Sequence, residues 1–247
     1  MTLAEDFDRI TLVGRSPERH ATILDALRGT GPAATLVECE LGSLASVAAA
    51  AEAISGTIEV LIANAGVGGR RGITEDGFEI HFGVNHVAHH LLITELAARI
   101  TDRVVVVSSN AHYDSNGLDL DRVHGRTSSF TGFREYRDSK LANVLDGVEM
   151  ARRHPFATHV VHPGVTATDI WRRIPWPLRP LFTRRMAGPE QGADTPAWAA
   201  RAAGLESGGY YARRTLRSPS DLADDDDAAC ELWERTEAWV SPFRRSG

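Results

Sequence analysis

Short runs of β-branched and aliphatic residues alternate with longer helical stretches along most of this 247-residue chain, and that alternation limits the folds open to it more than any other feature. Arg9-Ile10-Thr11-Leu12-Val13, closed by Gly14, reads as a strand. Ser16 is placed to cap a helix that Pro17 opens and that runs to about Leu27, where Gly29-Thr30-Gly31-Pro32 stops it. Ala34 to Leu41 reads as a second strand, Leu44 to Ile54 as an alanine-rich helix and Val60 to Ala63 as a third strand. The pattern continues through Phe82 to Ala98, Val104 to Val107, Tyr136 to Arg152 and His159 to Val161. Strands separated by helices imply an α/β fold with a mostly parallel, doubly wound sheet and helices on both faces. The run Val104-Val105-Val106-Val107 suits a strand buried on both sides. The length fits one domain over residues 1–247.

Composition removes several functional classes. A formal net charge of -6 argues against a broadly basic nucleic-acid binder. No apolar run approaches the roughly 18 residues of a membrane span, and the first residues lack the features of a secretory signal, so the expected location is cytoplasmic. Cys39 and Cys230 are too few for a disulfide framework and have no zinc-type spacing, which leaves them as packing residues. Two stretches break the rhythm. Asn110 to Arg134 reads as a long surface loop over an active site. Trp171 to Ala187 mixes Trp171, Trp176 and Phe182 with five arginines and three prolines; it reads as a substrate lid over 171–193, or as a patch meeting an anionic membrane or an acidic substrate. The aromatic residues there favour an apolar small-molecule substrate. Asp224 to Asp227 reads as an acidic helix start.

Of the 27 basic residues only Lys140 is a lysine. Arginine replaces lysine poorly where a compact point charge is needed, because its guanidinium is a broad planar fork. Tyr136 lies four residues before Lys140 on an expected helix, so the two side chains share a face. A phenol with a pKa near 10 is a poor base at neutral pH, and a fixed ammonium beside it lowers that value. Ser108-Ser109 closes the Val104 strand and Asn64-Ala65-Gly66 closes the Val60 strand, both at the carboxyl ends where open α/β sheets bind ligands.

Taken together, Leu61 to Gly66 (LIANAG), Asp76 to Glu79 (DGFE), Val84-Asn85-His86, Val107 to His112 (VSSNAH), Tyr136 to Asn143 (YRDSKLAN) and His162-Pro163-Gly164-Val165 stand in the order and spacing of one family. The sequence resembles the short-chain dehydrogenase/reductases, and among them the retinol-dehydrogenase-like branch, from about Arg9 to Trp233-Glu234. The resemblance implies a Rossmann-like fold and an oxidoreductase interconverting an alcohol and a carbonyl with NADP(H). Tyr136 is then the general acid/base, Lys140 lowers its pKa and holds the nicotinamide ribose, Ser109 orients the substrate, and Asn85 anchors a water chain to the lysine. Asn64, Ala65 and Gly66 are expected along the adenosine ribose, Glu40 and Leu41 beside the adenine, and Pro163, Gly164 and Thr168 against the nicotinamide. Arg15 follows the strand that ends near the adenosine 2′ position, where a guanidinium favours a 2′-phosphate and so NADP over NAD. A homodimer is a further implication.

His86, His89 and His90 are read as structural rather than as metal ligands, and so are His112 and His162. The family begins with a strand, a glycine-rich turn and a helix whose N-terminus receives the cofactor pyrophosphate. Nothing like Gly-x-x-x-Gly-x-Gly precedes Arg9, so about 25 residues, one strand and one helix, are missing from the expected pattern. Two arrangements are open: the Arg9 to Val13 and Ala34 to Leu41 strands left without their neighbour, or the Arg9 strand closed directly against the Val60 strand in a sheet of about six strands. Three functional readings follow: a reductase; a cofactor-independent, redox-neutral isomerase, cyclase or dehydratase using Tyr136, Lys140 and Ser109; and a non-catalytic binding subunit.

Overall fold

The computed structural model describes residues 3–28, 31–164 and 189–244. Its strands are β1 (Arg9–Gly14), β2 (Ala33–Glu38), β3 (Ile58–Ala63), β4 (Ile100–Val107), β5 (Ala157–His162), β6 (Tyr210–Ala212) and β7 (Thr215–Arg217). The helices are α1 (Pro17–Arg28), α2 (Leu44–Ala53), α3 (Ile80–Phe82), α4 (Ala88–Leu96), α5 (Phe133–Arg153), α6 (Pro189–Ala199) and α7 (Asp226–Val240). Between α3 and α4 the chain makes one π turn over Gly83–Val87, an irregularity that recurs at functional sites.

The strands form two sheets. In one, β1 pairs parallel with β2, from Arg9 opposite Ala33 to Gly14 opposite Glu38. The other runs β3-β4-β5-β6-β7, parallel except for the β6–β7 hairpin. The alternative in which β1 closes against β3 is therefore not what the chain adopts. Both strands carry an edge that no described strand pairs, and near that junction the Arg9 guanidinium reaches the Thr57 carbonyl at 3.2 Å. The physical reason lies in the helical face: α2 packs against α4, which leaves β3 paired on the β4 side, while β2 and α1 hold β1. Burial follows this split. Val104 to Val107 on β4 are at most 5% exposed, whereas on β3 only Ala63 is buried.

Alternate β4 residues feed two cores, as the pleat requires. Val104 and Val106 join Leu91, Leu141, Leu145 and Leu232 under α2, α4, α5 and α7. Val105 and Val107 join Val161, Ala199 and Tyr211 on the α6 side. Each such side chain contributes about 1.5–3 kcal/mol by leaving water. Helix α5 lies close on β5 because Gly147 has no side chain: a Cβ there would stand 2.3 Å from Val160 Cγ2. The acidic stretch starts α7 as expected, with the Asp225 carboxylate accepting from the Ala228 amide and Asp226 and Asp227 in the first turn. The stretch read as a surface loop is largely irregular and exposed, and it is also stitched down at several points. Glu79 N donates to Val123 O at 2.7 Å, Gly125 N donates to Gly77 O at 2.8 Å, and Leu120, Val123 and Thr127 are buried. No helix among the described residues is long and apolar enough to cross a membrane.

A buried polar tie fastens α4, α5 and α7 together. His90 is fully buried between Asp146, at 2.8 Å from Nδ1, and Glu237, at 2.7 Å from Nε2. Burial alone would lower its pKa, but the Asp146 charge and hydrogen bond, with those of Glu237, outweigh it and raise the value to about 9. A raised folded-state pKa contributes stability that is complete below the unfolded value near 6.5 and fades as pH rises through about 9. Urea unfolding is thus expected to show a loss of stability between pH 6.5 and 9 that His90→Leu lacks. That variant, by leaving Asp146 buried without its cation, should lose about 3 kcal/mol at pH 6.5. A wild-type stability flat across that window would contradict a charged His90.

Candidate active site

The carboxyl end of β4 and the first half of α5 bring the chemistry together. Gly132 begins the helix in the left-handed region, φ 74°, where a Cβ would stand 2.4 Å from the Arg70 carbonyl oxygen and 2.8 Å from the His81 ring. Its carbonyl accepts from the Tyr136 amide at 3.0 Å. One turn on, Ser139 and Lys140 face the sheet: Ser108 Oγ donates to the Lys140 carbonyl at 2.7 Å, and Lys140 Nζ donates to the Val107 carbonyl at 2.9 Å. The Ser109 hydroxyl lies near enough to the Tyr136 phenol to lower its pKa. Tyrosine, serine and lysine therefore converge at one strand end, as their spacing predicts.

The electrostatics differ from the sequence expectation. Burial raises the Tyr136 pKa and the Ser109 hydroxyl only partly offsets it. Lys140 Nζ stands 5.9 Å from the centre of the Tyr136 ring and is directed to a backbone carbonyl instead. Burial lowers the Lys140 pKa from 10.5 to about 8. In this geometry the phenol is not lowered by the ammonium, and both groups are pushed toward their neutral forms.

Asn85 lies in the π turn and uses its whole amide. Oδ1 accepts from the Val67 amide at 2.7 Å, and Nδ2 donates to the Val67 carbonyl at 3.0 Å and to Ser139 Oγ at 2.9 Å. It thereby ties the segment after β3 to α5. A Cβ on Gly66 would stand 2.9 Å from Asn85 Oδ1 and 3.9 Å from Lys140 Nζ, so Gly66 closes on the same cluster. Asn64, Ala65 and Gly66 are exposed at the open end of β3. At the ends of β1 and β2, Arg15 faces Glu40 at 3.6 Å, both side chains about half exposed, while Glu40 Oε1 also accepts from the Gly42 amide at 2.9 Å. Leu41 packs at the margin of the core. Pro163 and Gly164, the latter with φ 94°, leave the end of β5. Thr168, with residues 171–188 of the expected lid, lies outside the described residues.

Three supports escaped the sequence reading. Glu79 accepts from the His81 and Phe82 amides and from His81 Nδ1, at 2.7, 3.1 and 2.9 Å, and from the Thr127 hydroxyl. This fixes the His81 ring edge-on to Tyr136, 6.2 Å between centres. Tyr210 donates to Asn110 Oδ1 at 2.9 Å beside Ser109. The β6–β7 hairpin is the third. Only Glu79 carried a signal, as part of the Asp76 to Glu79 motif. The histidines have partners within the protein: His86 Nε2 meets Thr236 Oγ1 at 3.0 Å, His89 Nδ1 meets the Asn85 carbonyl at 3.0 Å, and His112 Nδ1 meets the Ser109 carbonyl at 2.7 Å. His162 Nδ1 accepts from the Asn110 amide at 3.3 Å.

Similarity to known proteins follows the same residues. The sequence profile of the family described as short chain dehydrogenase matches residues 1–117. A relative named "Putative daunorubicin C-13 ketoreductase DnrU" from Streptomyces sp. (strain C5) is 33% identical over 253 residues, spanning 99% of this chain and 88% of its own. Retinol dehydrogenase 14 of Mus musculus is 35% identical, spanning 86% of this chain and 70% of its own. Among solved structures, an uncharacterised protein of Mycobacterium paratuberculosis superposes with a TM-score of 0.80 at 28% identity, covering 97% of this chain and 86% of its own. The fold is also that of an NADPH-bound carbonyl reductase from chicken fatty liver, TM-score 0.61 at 19% identity, with 85% and 88% of the two chains covered. With a mostly parallel α/β sheet, a Ser-Tyr-Lys cluster at the end of β4 and relatives of this similarity along nearly its whole length, the chain belongs to the short-chain dehydrogenase/reductase family of oxidoreductases, on its retinol-dehydrogenase-like branch.

Proposed function

We propose that this chain interconverts an alcohol and a carbonyl with NADP(H), with Tyr136 as general acid/base. The observation that carries the reading is the convergence of Tyr136 and Ser109 at the carboxyl end of β4, close enough for the Ser109 hydroxyl to bear on the phenol, with Lys140 one helical turn on. A carbonyl oxygen placed between the two hydroxyls is held by Ser109 and receives the Tyr136 proton as it gains charge; in the reverse direction Tyr136 accepts that proton. A raised phenol pKa suits donation, and a lysine near pKa 8 can replace the proton from below. The nicotinamide supplies or takes the hydride.

The residues present suit the two ends of such a cofactor. Pro163 and Gly164, at the end of β5, would take the nicotinamide end and Lys140 its ribose. Asn64, Ala65 and Gly66, exposed at the end of β3, with Glu40 and Leu41, would line the adenosine end. Arg15 would take the 2′-phosphate only by exchanging its exposed contact with Glu40, a pair worth at most about 1 kcal/mol. Asn85 is placed to hold Lys140's surroundings rather than to touch substrate. A second reading, redox-neutral proton transfer by the same Tyr136, would need only Tyr136, Lys140 and Ser109 and no nicotinamide.

Titration with NADPH, followed by fluorescence and calorimetry, separates the two. Binding below millimolar with turnover of a ketone is expected, and no binding at millimolar NADPH leaves only the redox-neutral reading. Tyr136→Phe should lower kcat by about 10²–10⁴-fold; full turnover would remove Tyr136 from the chemistry. Lys140→Met should abolish activity yet raise stability by about 3 kcal/mol at pH 7, since it relieves a buried charge and Asn143 Nδ2 still donates to the Val107 carbonyl at 3.3 Å. Because the folded pKa is depressed, that gain should shrink as pH rises from 8 to 10.5, read from urea midpoints.

A further inference from the structure

The hairpin between β6 and β7 turns on Arg213 and Arg214, with φ 52° and 58°, the only non-glycine residues of positive φ among those described. Two-residue hairpin turns of this kind ordinarily take Asn-Gly, and two successive arginines are held there against their backbone preference. Such strain points to a use for the side chains. For Arg214 the use is visible: it makes a two-pronged ion pair with Asp194 on α6, one prong at 2.9 Å, which anchors the turn. Arg213 is exposed, and its guanidinium has no hydrogen-bond or ion-pair partner among the described residues.

Its position is fixed by the sheet. Ala212 pairs in register with His162, the last residue of β5, so Arg213 projects from the first position beyond the carboxyl edge, beside Pro163 and Gly164. The segment it belongs to is laced to the Ser109 turn. Tyr210 donates to Asn110 Oδ1 at 2.9 Å, Tyr113 donates to the Ser218 carbonyl, and the Ser220 amide donates to His112 Nε2 at 3.2 Å. Tyr210 is close enough to Tyr136 for the two phenols to influence each other, and the Arg213 charge, after burial and His112, helps hold His162 down at about 4. The hairpin thus stands against the turn that carries Ser109, and its tip bears a guanidinium with no carboxylate partner among the described residues.

We infer that Arg213 is a specificity-determining residue and that the substrate carries a carboxylate, or an anion of similar shape, at the end remote from the reacting carbonyl. The inference rests on the alcohol/carbonyl reading above. A planar guanidinium matches a carboxylate with two parallel hydrogen bonds, and a turn anchored by Arg214 holds it in place.

The test compares an aryl keto acid, 4-acetylbenzoate, with its methyl ester in the wild type, Arg213→Asn and Arg213→Glu. Asparagine tolerates the left-handed turn, so Arg213→Asn should melt at or above the wild-type temperature and any kinetic change is not misfolding. The wild type should favour the acid by about tenfold in kcat/KM, equivalent to about 1.4 kcal/mol. Arg213→Asn should remove that preference through KM, and Arg213→Glu should invert it. Calorimetric binding of 4-acetylbenzoate without cofactor should weaken by a similar factor in Arg213→Asn. If neither ketone turns over but this binding difference holds, the alcohol/carbonyl reading falls and the anion site stands. A wild type indifferent to the carboxylate, or a preference that survives Arg213→Asn, overturns the inference.

Discussion

Lys140 has its ammonium buried at the end of β4 with a single neutral oxygen, the Val107 carbonyl, as its hydrogen-bond acceptor among the described residues. Burying a charge against so little compensation is costly, and the cluster around it is arranged to keep the lysine there. Ser108 ties the lysine's own backbone to β4, Asn143 shares the Val107 carbonyl, and Asn85 fastens Ser139, the residue before it, to the segment after β3. The charge that is expensive for the fold is the one that the proposed chemistry would draw on as a proton source beside Tyr136. Stability and chemistry are thus opposed at one side chain, which accounts for a position that arginine, used everywhere else in the chain, does not fill.

Much of this was legible in the sequence, for identifiable reasons. The valines of β4 and the Tyr136–Lys140 pair depend on local periodicity, two and about 3.6 residues, which a single stretch of sequence displays. Counting the elements of a familiar pattern pointed to a missing neighbour for β1 and β2, whereas β1 and β2 pair with each other and the open edges are those of β1 and β3. The electrostatic relation between Tyr136 and Lys140 was not legible, because it depends on which acceptor the ammonium finds, and that acceptor is 33 residues away. The clamp formed by Glu79, His81 and Thr127 was hidden for the same reason, since Thr127 lies 48 residues from Glu79. The β6–β7 turn escaped because Arg213-Arg214 contradicts turn chemistry; local preference is overridden there by the ion pair with Asp194.

The split sheet places the two halves of the candidate cofactor site on separately supported strands. Arg15 and Glu40 depend on β1 and β2, held by α1 and the margin of the core, whereas Asn64 to Gly66 and Lys140 belong to the larger sheet. Affinity for an extended ligand then depends on how firmly the smaller sheet is held relative to the larger one, and a ligand spanning both acts as a brace between them.

The tie at His90 also has a consequence for biosynthesis. Its acceptors are Asp146 on α5 and Glu237 on α7, and Glu237 is 147 residues further along the chain. While the protein emerges from the ribosome, the helix carrying Tyr136 and Lys140 is complete long before the carboxylate that finishes its polar contacts exists. His90 on α4, tied to that helix through Asp146, therefore waits for the last turns of the chain before both its ring nitrogens are balanced, and a nascent chain stalled before Glu237 would hold the α4–α5 pair in a loosened, protease-sensitive state.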